Sequence, residues 1–600
     1  MQNPLKFYQK EKLFFENELL SLKKKLTLSS TLRLIVFGLI ILGIYLPFRK
    51  SGFLSGNTNA IILVLLAGIA IFLFLVSKHT DLQHRKDKLL ALIKLNTIEI
   101  NMLHGNITDL DLGTEYQNSL HAFSYDIDLF GTGSFFQYLN RTATKSGKNK
   151  LAEILTANTI DDIKYKQESL NELAKKPKWR QNFSAIASLV NINTKAESIV
   201  NWLNNHTSFL PNFISFLPTL FFGISTALFT LHLFGYIGFI YILMWFLIGL
   251  ITTGFYLKKV SSVYSNANRA KDTFKQYHQL LLQIENENFT SDILINKQQQ
   301  IKSESKKASA IFSAFSKAID ALDQRNNILF GIFGNGLALW DLKQTYKIEK
   351  WIKNYHHQVK NWLEVIAFFD AQNSLANYVF NHPKHTFPIL SNGNFTINAK
   401  QLGHPLLDKN KRIDNDFSIN NQEFFIITGA NMAGKSTFLR TVSLSIVMSN
   451  IGLPVCSSKF EYAPIHLITS MRTSDSLTDS ESYFFSELKR LKFIIDEINP
   501  DTASKKYFII LDEILKGTNS KDKAIGSRKF VEKLVTSNST GIIATHDLSL
   551  CEITKVLPQV KNFYFDAEIA NDELYFDYTF KNGICQNMNA SFLLKKMEII

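Results

Sequence analysis

At 600 residues the chain is long enough for several domains, and with 46% apolar side chains it can build large cores. Its three cysteines, Cys456, Cys551 and Cys585, lie far apart with no Cys-x-x-Cys spacing. That suggests neither a disulfide framework nor a zinc site, and reads as free thiols in a reducing compartment. The net charge of +14 suits an acidic partner, either nucleic acid or anionic lipid, and equally suits a basic surface that only keeps the protein in solution.

In chain order, residues 1–30 read as a basic cytoplasmic tail that includes Lys23, Lys24 and Lys25. Residues 31–78 hold two uncharged apolar stretches, 34–48 and 59–77, and are predicted to form a first transmembrane hairpin. The first stretch is short, and Arg33 and Arg49 could snorkel from its ends. Residues 79–206 read as largely helical, with a turn-rich patch from Asp128 to Gly133. Residues 207–257 contain no Asp, Glu, Lys or Arg and are long enough for a second hairpin, turning near His232 to Gly235. The alternative for all of these stretches is a set of buried core helices. Lys78, Arg85, Lys86 and Lys88 follow the second span, and Lys258 and Lys259 follow the fourth. The loop between spans three and four has no Lys or Arg, whereas Arg49 and Lys50 point the other way and are outnumbered. The balance places both termini on the cytoplasmic side of the inner membrane in a multi-pass arrangement. The polar start gives no sign of a signal peptide. The four spans lack Asp, Glu and Lys, so an anchor is expected rather than an ion path.

Residues 258–380 again read as helical, a lever or arm in which Lys343 through Trp351 to Phe369 keeps helical spacing. Asn381-His382-Pro383 breaks the pattern. Over 381–600, short apolar runs alternate with helical stretches, which predicts an α/β domain. There the run Thr428-Gly429-Ala430-Asn431-Met432-Ala433-Gly434-Lys435-Ser436-Thr437 fits the phosphate-binding pattern G-x-x-x-x-G-K-[ST]. The apolar run Phe424 to Ile427 precedes it as a strand, and Phe438 onward reads as a helix start. Glycines let backbone N–H groups surround phosphate oxygens, with the helix N-terminus behind them. Lys435 is expected at the β- and γ-phosphates of ATP, and Ser436 on Mg²⁺.

A second strand, Tyr507 to Leu511, ends in Asp512-Glu513. Asp512 is the candidate second Mg²⁺ ligand, and Glu513 the residue that orients or activates water. A third strand, Gly541 to Thr545, ends in His546, a candidate contact to the γ-phosphate or the water. The order P-loop, Asp-Glu, His is that of ABC-type ATPases. The expected fold is therefore an α/β P-loop ATPase domain preceded by an all-α region interrupted by transmembrane helical hairpins. Such ATPases work as pairs in which each copy completes the other's site.

These residues resemble the MutS family of DNA mismatch-repair ATPases. Residues 427–437 are close to the family's TGPNMGGKST, Leu511 to Ser520 to its LDEIGRGTST, and Ala544-Thr545-His546-Asp547 to its ATHY. Asp475-Ser476-Leu477, with Ser482-Tyr483-Phe484 and Glu487, is similar to the segment carrying the trans signature serine. The resemblance implies that Ser482 caps the partner's γ-phosphate. His404-Pro405-Leu406-Leu407, Asn415-Asp416 and the end from Asn589 to Met597 also resemble the family. Phe135 to Gly147 is similar to the start of the MutS helical core, which would make 79–206 core-like. The family's mismatch-sensing domain is expected to have no counterpart here: Phe14-Phe15-Glu16 fits its Phe-x-Glu motif, but a basic tail and an apolar span stand around it in place of a domain. The resemblance implies a homodimer joined through its ATPase domains, a clamp opened and closed by ATP, and DNA, duplex or branched, as partner. With four transmembrane helices the chain would also hold the bilayer. The alternatives are a membrane-tethered switch acting on a protein, and an ABC-type transporter.

Overall fold

The computed structural model describes residues 3–45, 58–189, 196–302, 307–391, 393–472, 483–498, 505–570 and 573–586. They fall into two compact units. The first contains residues 1–104, 178–288 and 296–370, and the second contains 105–177, 289–295 and 371–600. The stretch 79–206 is thus divided between them.

The first unit is helical. Helices Pro4–Tyr45 and Thr58–Leu103 pair along their length. Their register is antiparallel. Arg85 meets Glu18 at 2.9 Å, His79 Nδ1 lies 3.3 Å from Ser29 Oγ, and the Phe37 and Phe72 rings are 6.1 Å apart. The two halves of this pair differ in kind. Where the sequence is charged, Leu19, Leu22, Leu26 and Leu89 form a buried seam. Where it is uncharged, the described apolar side chains form no such seam and face outward, Leu34 at 71% and Phe74 at 65% exposure, although Leu13, Leu20 and Leu28 are also exposed in the charged half.

The same change occurs along helix Phe239–Asn286. Its uncharged start pairs with helix Leu217–Leu233 through Phe221 stacked on Trp245 at 4.2 Å. The turn between them falls at His232 to Gly235, with Gly235 at φ 78° donating to the His232 carbonyl at 2.9 Å. Its charged second half packs on helix Ala308–Asp323, where Lys271 reaches Asp320 at 2.7 Å and Ser309 N donates to Glu285 at 2.9 Å. Trp351, on helix Trp340–Asn381, fills the space between Phe274 and Phe315 and donates to the Ile311 carbonyl at 2.8 Å. Among the described residues, three stretches are long and apolar enough to cross a membrane by length and composition: Pro4–Gly43, Leu66–Leu103 and Phe239–Asn286. Leu217–Leu233 and Ile328–Ala338 are shorter apolar helices, and the second of these lies in a region read from sequence only as an arm.

The second unit is built on a six-stranded sheet. Its spatial order is Lys581–Asn582, Val560–Phe565, Phe424–Gly429, Thr540–Ala544, Tyr507–Asp512, His466–Ser470. All pairs are parallel except the first. The central strands Phe424–Gly429, Thr540–Ala544 and Tyr507–Asp512 are buried almost throughout, as expected of a parallel sheet covered on both faces. A second sheet joins Ile389–Leu390, Lys459–Tyr462, Phe395–Leu402 and Asn415–Asn420. Helix Trp340–Asn381 ends at Asn381, ahead of Pro383.

Residues 105–177 close the free edge of the large sheet at His466–Ser470. Thr469 N donates to the Ala122 carbonyl at 2.9 Å. Asn158 Nδ2 donates to the Leu467 carbonyl, and its Oδ1 accepts from Leu467 N, both at 3.0 Å. Arg490 also donates to the Ala122 carbonyl, at 2.6 Å. An uncovered edge strand is a template for aggregation, so this cover protects the sheet. Asn158 itself sits at φ 48°, a conformation Asn tolerates better than Ala. Asn158→Ala removes two hydrogen bonds and strains the backbone, and should lower stability by about 2 kcal/mol. Asn158→Gly removes the same two bonds without straining the backbone, and should lose about half as much. Thermal melts of the two variants check the order.

Candidate nucleotide site

Three parallel strands deliver the predicted residues to one end of the sheet. The P-loop follows Phe424–Gly429, Asp512 ends Tyr507–Asp512, and His546 follows Thr540–Ala544. Because the strands run parallel, all three segments emerge at their carboxyl ends, where open α/β sheets form ligand crevices.

Two glycines are required by the loop's shape. Gly429 has φ 149°, and a Cβ there would lie 2.5 Å from the Phe565 carbonyl oxygen. Gly434 has φ 100° at the start of helix Lys435–Asn450. Ala430, Asn431, Met432, Ala433, Gly434 and Thr437 line one side of a cavity of about 710 Å³. Met432 takes φ 67° and is exposed.

Lys435 is buried, and its Nζ donates to the carbonyls of Gly429 at 2.7 Å and Ala430 at 2.9 Å. It also lies 3.2 Å from His546 Nε2. Burial pulls its pKa down, against the opposing pull of Asp512 and Glu513. Ser436 Oγ donates to Asp512 Oδ2 at 2.6 Å. Glu513 Oε1 stands 3.0 Å from His546 Nε2, and Lys516 Nζ is 3.8 Å from Oε2. Burial, then the Lys435 charge, lowers the His546 pKa. Of the predicted site residues, Ser482 lies outside the described residues, as does the closing segment 589–597.

The residues fit a magnesium nucleotide. The Lys435 ammonium is held by loop carbonyls, contacts that phosphate oxygens can replace with charge-assisted ones. The Ser436 hydroxyl and the Asp512 carboxylate stand together as oxygen ligands. Among the described residues, no group of three His, Cys, Asp or Glu side chains is placed to hold a metal by itself. Mg²⁺ needs no such cage, since it takes one or two carboxylates together with phosphates and water.

Several contributors had no strong sequence signal. Glu487, 3% exposed, accepts from the backbone N–H groups of Leu515 and Lys516. It thereby fixes the loop after Glu513, whose φ of 50° is unusual for a non-glycine residue. His404, Arg412, Ile413 and Tyr578 line the far side of the cavity. Asn415 ties that wall together, donating to the Tyr578 carbonyl at 3.0 Å and accepting from Phe580 N at 2.8 Å. Of these, Glu487, His404 and Asn415 fall within resembling segments.

Burial, then the charges of Arg440 and Arg412, lowers the His404 pKa from 6.5 to about 4. Between those values the unfolded chain binds more protons than the folded one, so stability rises with pH. The contribution is complete above about pH 6.5 and is lost as pH falls toward 4. His404→Asn should therefore flatten part of the dependence of melting temperature on pH between 4 and 6.5.

Residues 425–596 match the family MutS domain V. The chain is 31% identical over 249 residues to human MutS protein homolog 4, covering 40% of this chain and 25% of that protein. It is 27% identical over 274 residues to DNA mismatch repair protein MutS of Staphylococcus haemolyticus, covering 44% and 30%. With DNA mismatch repair protein MSH4 of Arabidopsis thaliana it shares 28% identity over 248 residues, covering 39% and 30%. The chain thus spans less than a third of the length of these relatives. Lys435, Ser436, Asp512, Glu513 and His546 therefore lie in a region that matches MutS domain V, and these relatives carry the names of MutS proteins and MutS homologues.

Proposed function

We propose that this chain is a membrane-anchored MutS-like ATPase that binds and hydrolyses ATP to open and close a dimeric clamp on DNA. One observation carries the reading: Lys435, Ser436, Asp512, Glu513 and His546 converge on a single cavity, and all five fall within the residues that match MutS domain V. In this proposal Lys435 exchanges its carbonyl contacts for phosphate oxygens, and the loop N–H groups from Gly429 to Thr437 hold the rest. Ser436 and Asp512 hold Mg²⁺. A metal held there would supply positive charge against the phosphate oxygens. Glu513 orients the attacking water and takes its proton on a carboxylate oxygen, while neutral His546 steadies that carboxylate. Ser482 is assigned to the partner copy's nucleotide, which makes the ATPase pair the active form.

The anchor rests on the outward-facing apolar halves of helices Pro4–Tyr45, Thr58–Leu103 and Phe239–Asn286, with Leu217–Leu233 beside the last. A leucine seam where the chain is charged and an apolar exterior where it is not is the pattern expected of helices passing from water into lipid. The ATPase is assigned to the cytoplasmic face. DNA as partner is supported by the net charge of +14 and by the relatives' names. Mismatch sensing is not part of the proposal. The similarity covers 39% to 44% of the chain in these three relatives. A protein partner engaged by the remainder is therefore the second reading.

ATP turnover of the detergent-purified protein, with and without homoduplex, mismatched and branched DNA, tests both. Stimulation by DNA, with log affinity falling linearly in log salt, is expected. Turnover indifferent to every DNA, with no salt-dependent binding, overturns DNA in favour of a protein partner.

A further inference from the structure

Helix Ile328–Ala338 is eleven residues long and contains no charged side chain. It leaves large apolar groups uncovered: Ile328 is 76% exposed, Leu329 68% and Phe333 56%. This patch is continuous with the uncharged hairpin before it. A Cβ on Gly249 would lie 2.5 Å from the Gly336 carbonyl oxygen, so the two backbones touch. Phe333 packs on Phe246 with ring centroids 5.8 Å apart. Ser225 Oγ donates to the Leu337 carbonyl at 2.8 Å.

The helix ends are also supplied with polar partners. Asn327 Oδ1 accepts from Phe330 N at 3.1 Å, and Leu339 N donates to the Asn335 carbonyl at 3.3 Å. Asn335 Oδ1 accepts from Asp341 N at 2.9 Å. Backbone groups in hydrocarbon must find partners inside the protein, and these do. Charge resumes at both ends, where Arg325 Nε lies 3.3 Å from Asp341 Oδ2. The flanking helices pack on one another there, with Trp340 Nε1 donating to the Ala321 carbonyl at 2.7 Å.

Eleven residues of helix extend about 16 Å, roughly half of a hydrocarbon core about 30 Å thick. The segment cannot cross, and its entry and exit are joined by the same ion pair. We propose that Ile328–Ala338 is a re-entrant membrane element. It lies against the hairpin 217–257, places Ile328, Leu329 and Phe333 among lipid acyl chains, and returns the chain to the side it came from. This rests on the anchor proposed above, and adds a fifth lipid-facing element that leaves the arm on the ATPase side.

The test uses single introduced cysteines, since Cys456, Cys551 and Cys585 are buried. Leu329→Cys and Phe333→Cys, with Leu247→Cys as hairpin control and Lys353→Cys as aqueous control, are labelled with an environment-sensitive fluorophore. The full chain is then placed in phosphatidylcholine vesicles containing spin-labelled acyl chains. Ile328→Cys replaces either test variant that fails to reconstitute. Quenching at 329 and 333 comparable to that at 247, with none at 353, is expected. Quenching at 247 but not at 329 or 333 overturns the re-entrant element and leaves the anchor standing. Quenching at none of them overturns the anchor and this element together. Disulfide cross-linking between copies at 333 without lipid quenching makes the face a contact between chains, and also overturns it.

Discussion

Lys435→Ala should lower ATP turnover by about 100-fold or more and remove measurable nucleotide retention. The Lys435 ammonium is buried, and its close contacts are the Gly429 and Ala430 carbonyls and His546. None of these carries a full negative charge, so phosphate oxygens are its stronger partners. Each charge-assisted hydrogen bond is worth about 1.5–3 kcal/mol, and losing two corresponds to at least 100-fold in binding. The fold should survive, because the carbonyls released border a cavity that water can enter. Two measurements separate site from scaffold. ATP with Mg²⁺ should raise the melting temperature of the original chain by mass action and leave the variant's unchanged. The melting temperatures without nucleotide should stay close. Undiminished turnover would remove Lys435 from the site and the cavity from the proposal.

The parts of this unit that sequence could read are those where one short segment carries its own signal. Phe424–Gly429 and Tyr507–Asp512 are apolar runs that give way to Thr428 and Asp512, and the apolar core of Thr540–Ala544 gives way to Thr545 and His546, as buried parallel strands require. Pro383 marked the helix end at Asn381. Features made by distant partners were not legible. The second sheet pairs Phe395–Leu402 with Asn415–Asn420 and with Lys459–Tyr462, and no single strand among them announces the others. The cover of the sheet edge joins Asn158 to Leu467 across 309 positions. Arg412 and Tyr578 reach the cavity as lone residues from separate loops, without a spacing that a motif could capture. Helix Ile328–Ala338 is too short for a window sized to a membrane crossing, so its apolar character dissolved into the surrounding arm.

Glu513→Gln should keep nucleotide affinity while reducing turnover by about 10²–10⁴-fold. The loop that presents this side chain is held from outside it. Glu513 N donates to the Ala544 carbonyl at 2.9 Å, and Glu487 secures the next turn through Leu515 and Lys516. A glutamine inherits that backbone, and its amide oxygen can still accept from His546. What it cannot do is take a proton from water. His546 does not substitute, because its depressed pKa leaves it a weak base beside the Lys435 charge. The variant should therefore bind ATP, pair, and stay paired, since reopening waits on hydrolysis. Light scattering with ATP and Mg²⁺ should then show a dimer that persists, where the original chain returns to its resting state as nucleotide is consumed. If Glu513→Gln hydrolyses at the original rate, the proton goes elsewhere and the pairing of Glu513 with His546 is structural. If turnover falls but no lasting dimer forms, Glu513 keeps its role and the coupling of hydrolysis to clamp opening is what fails.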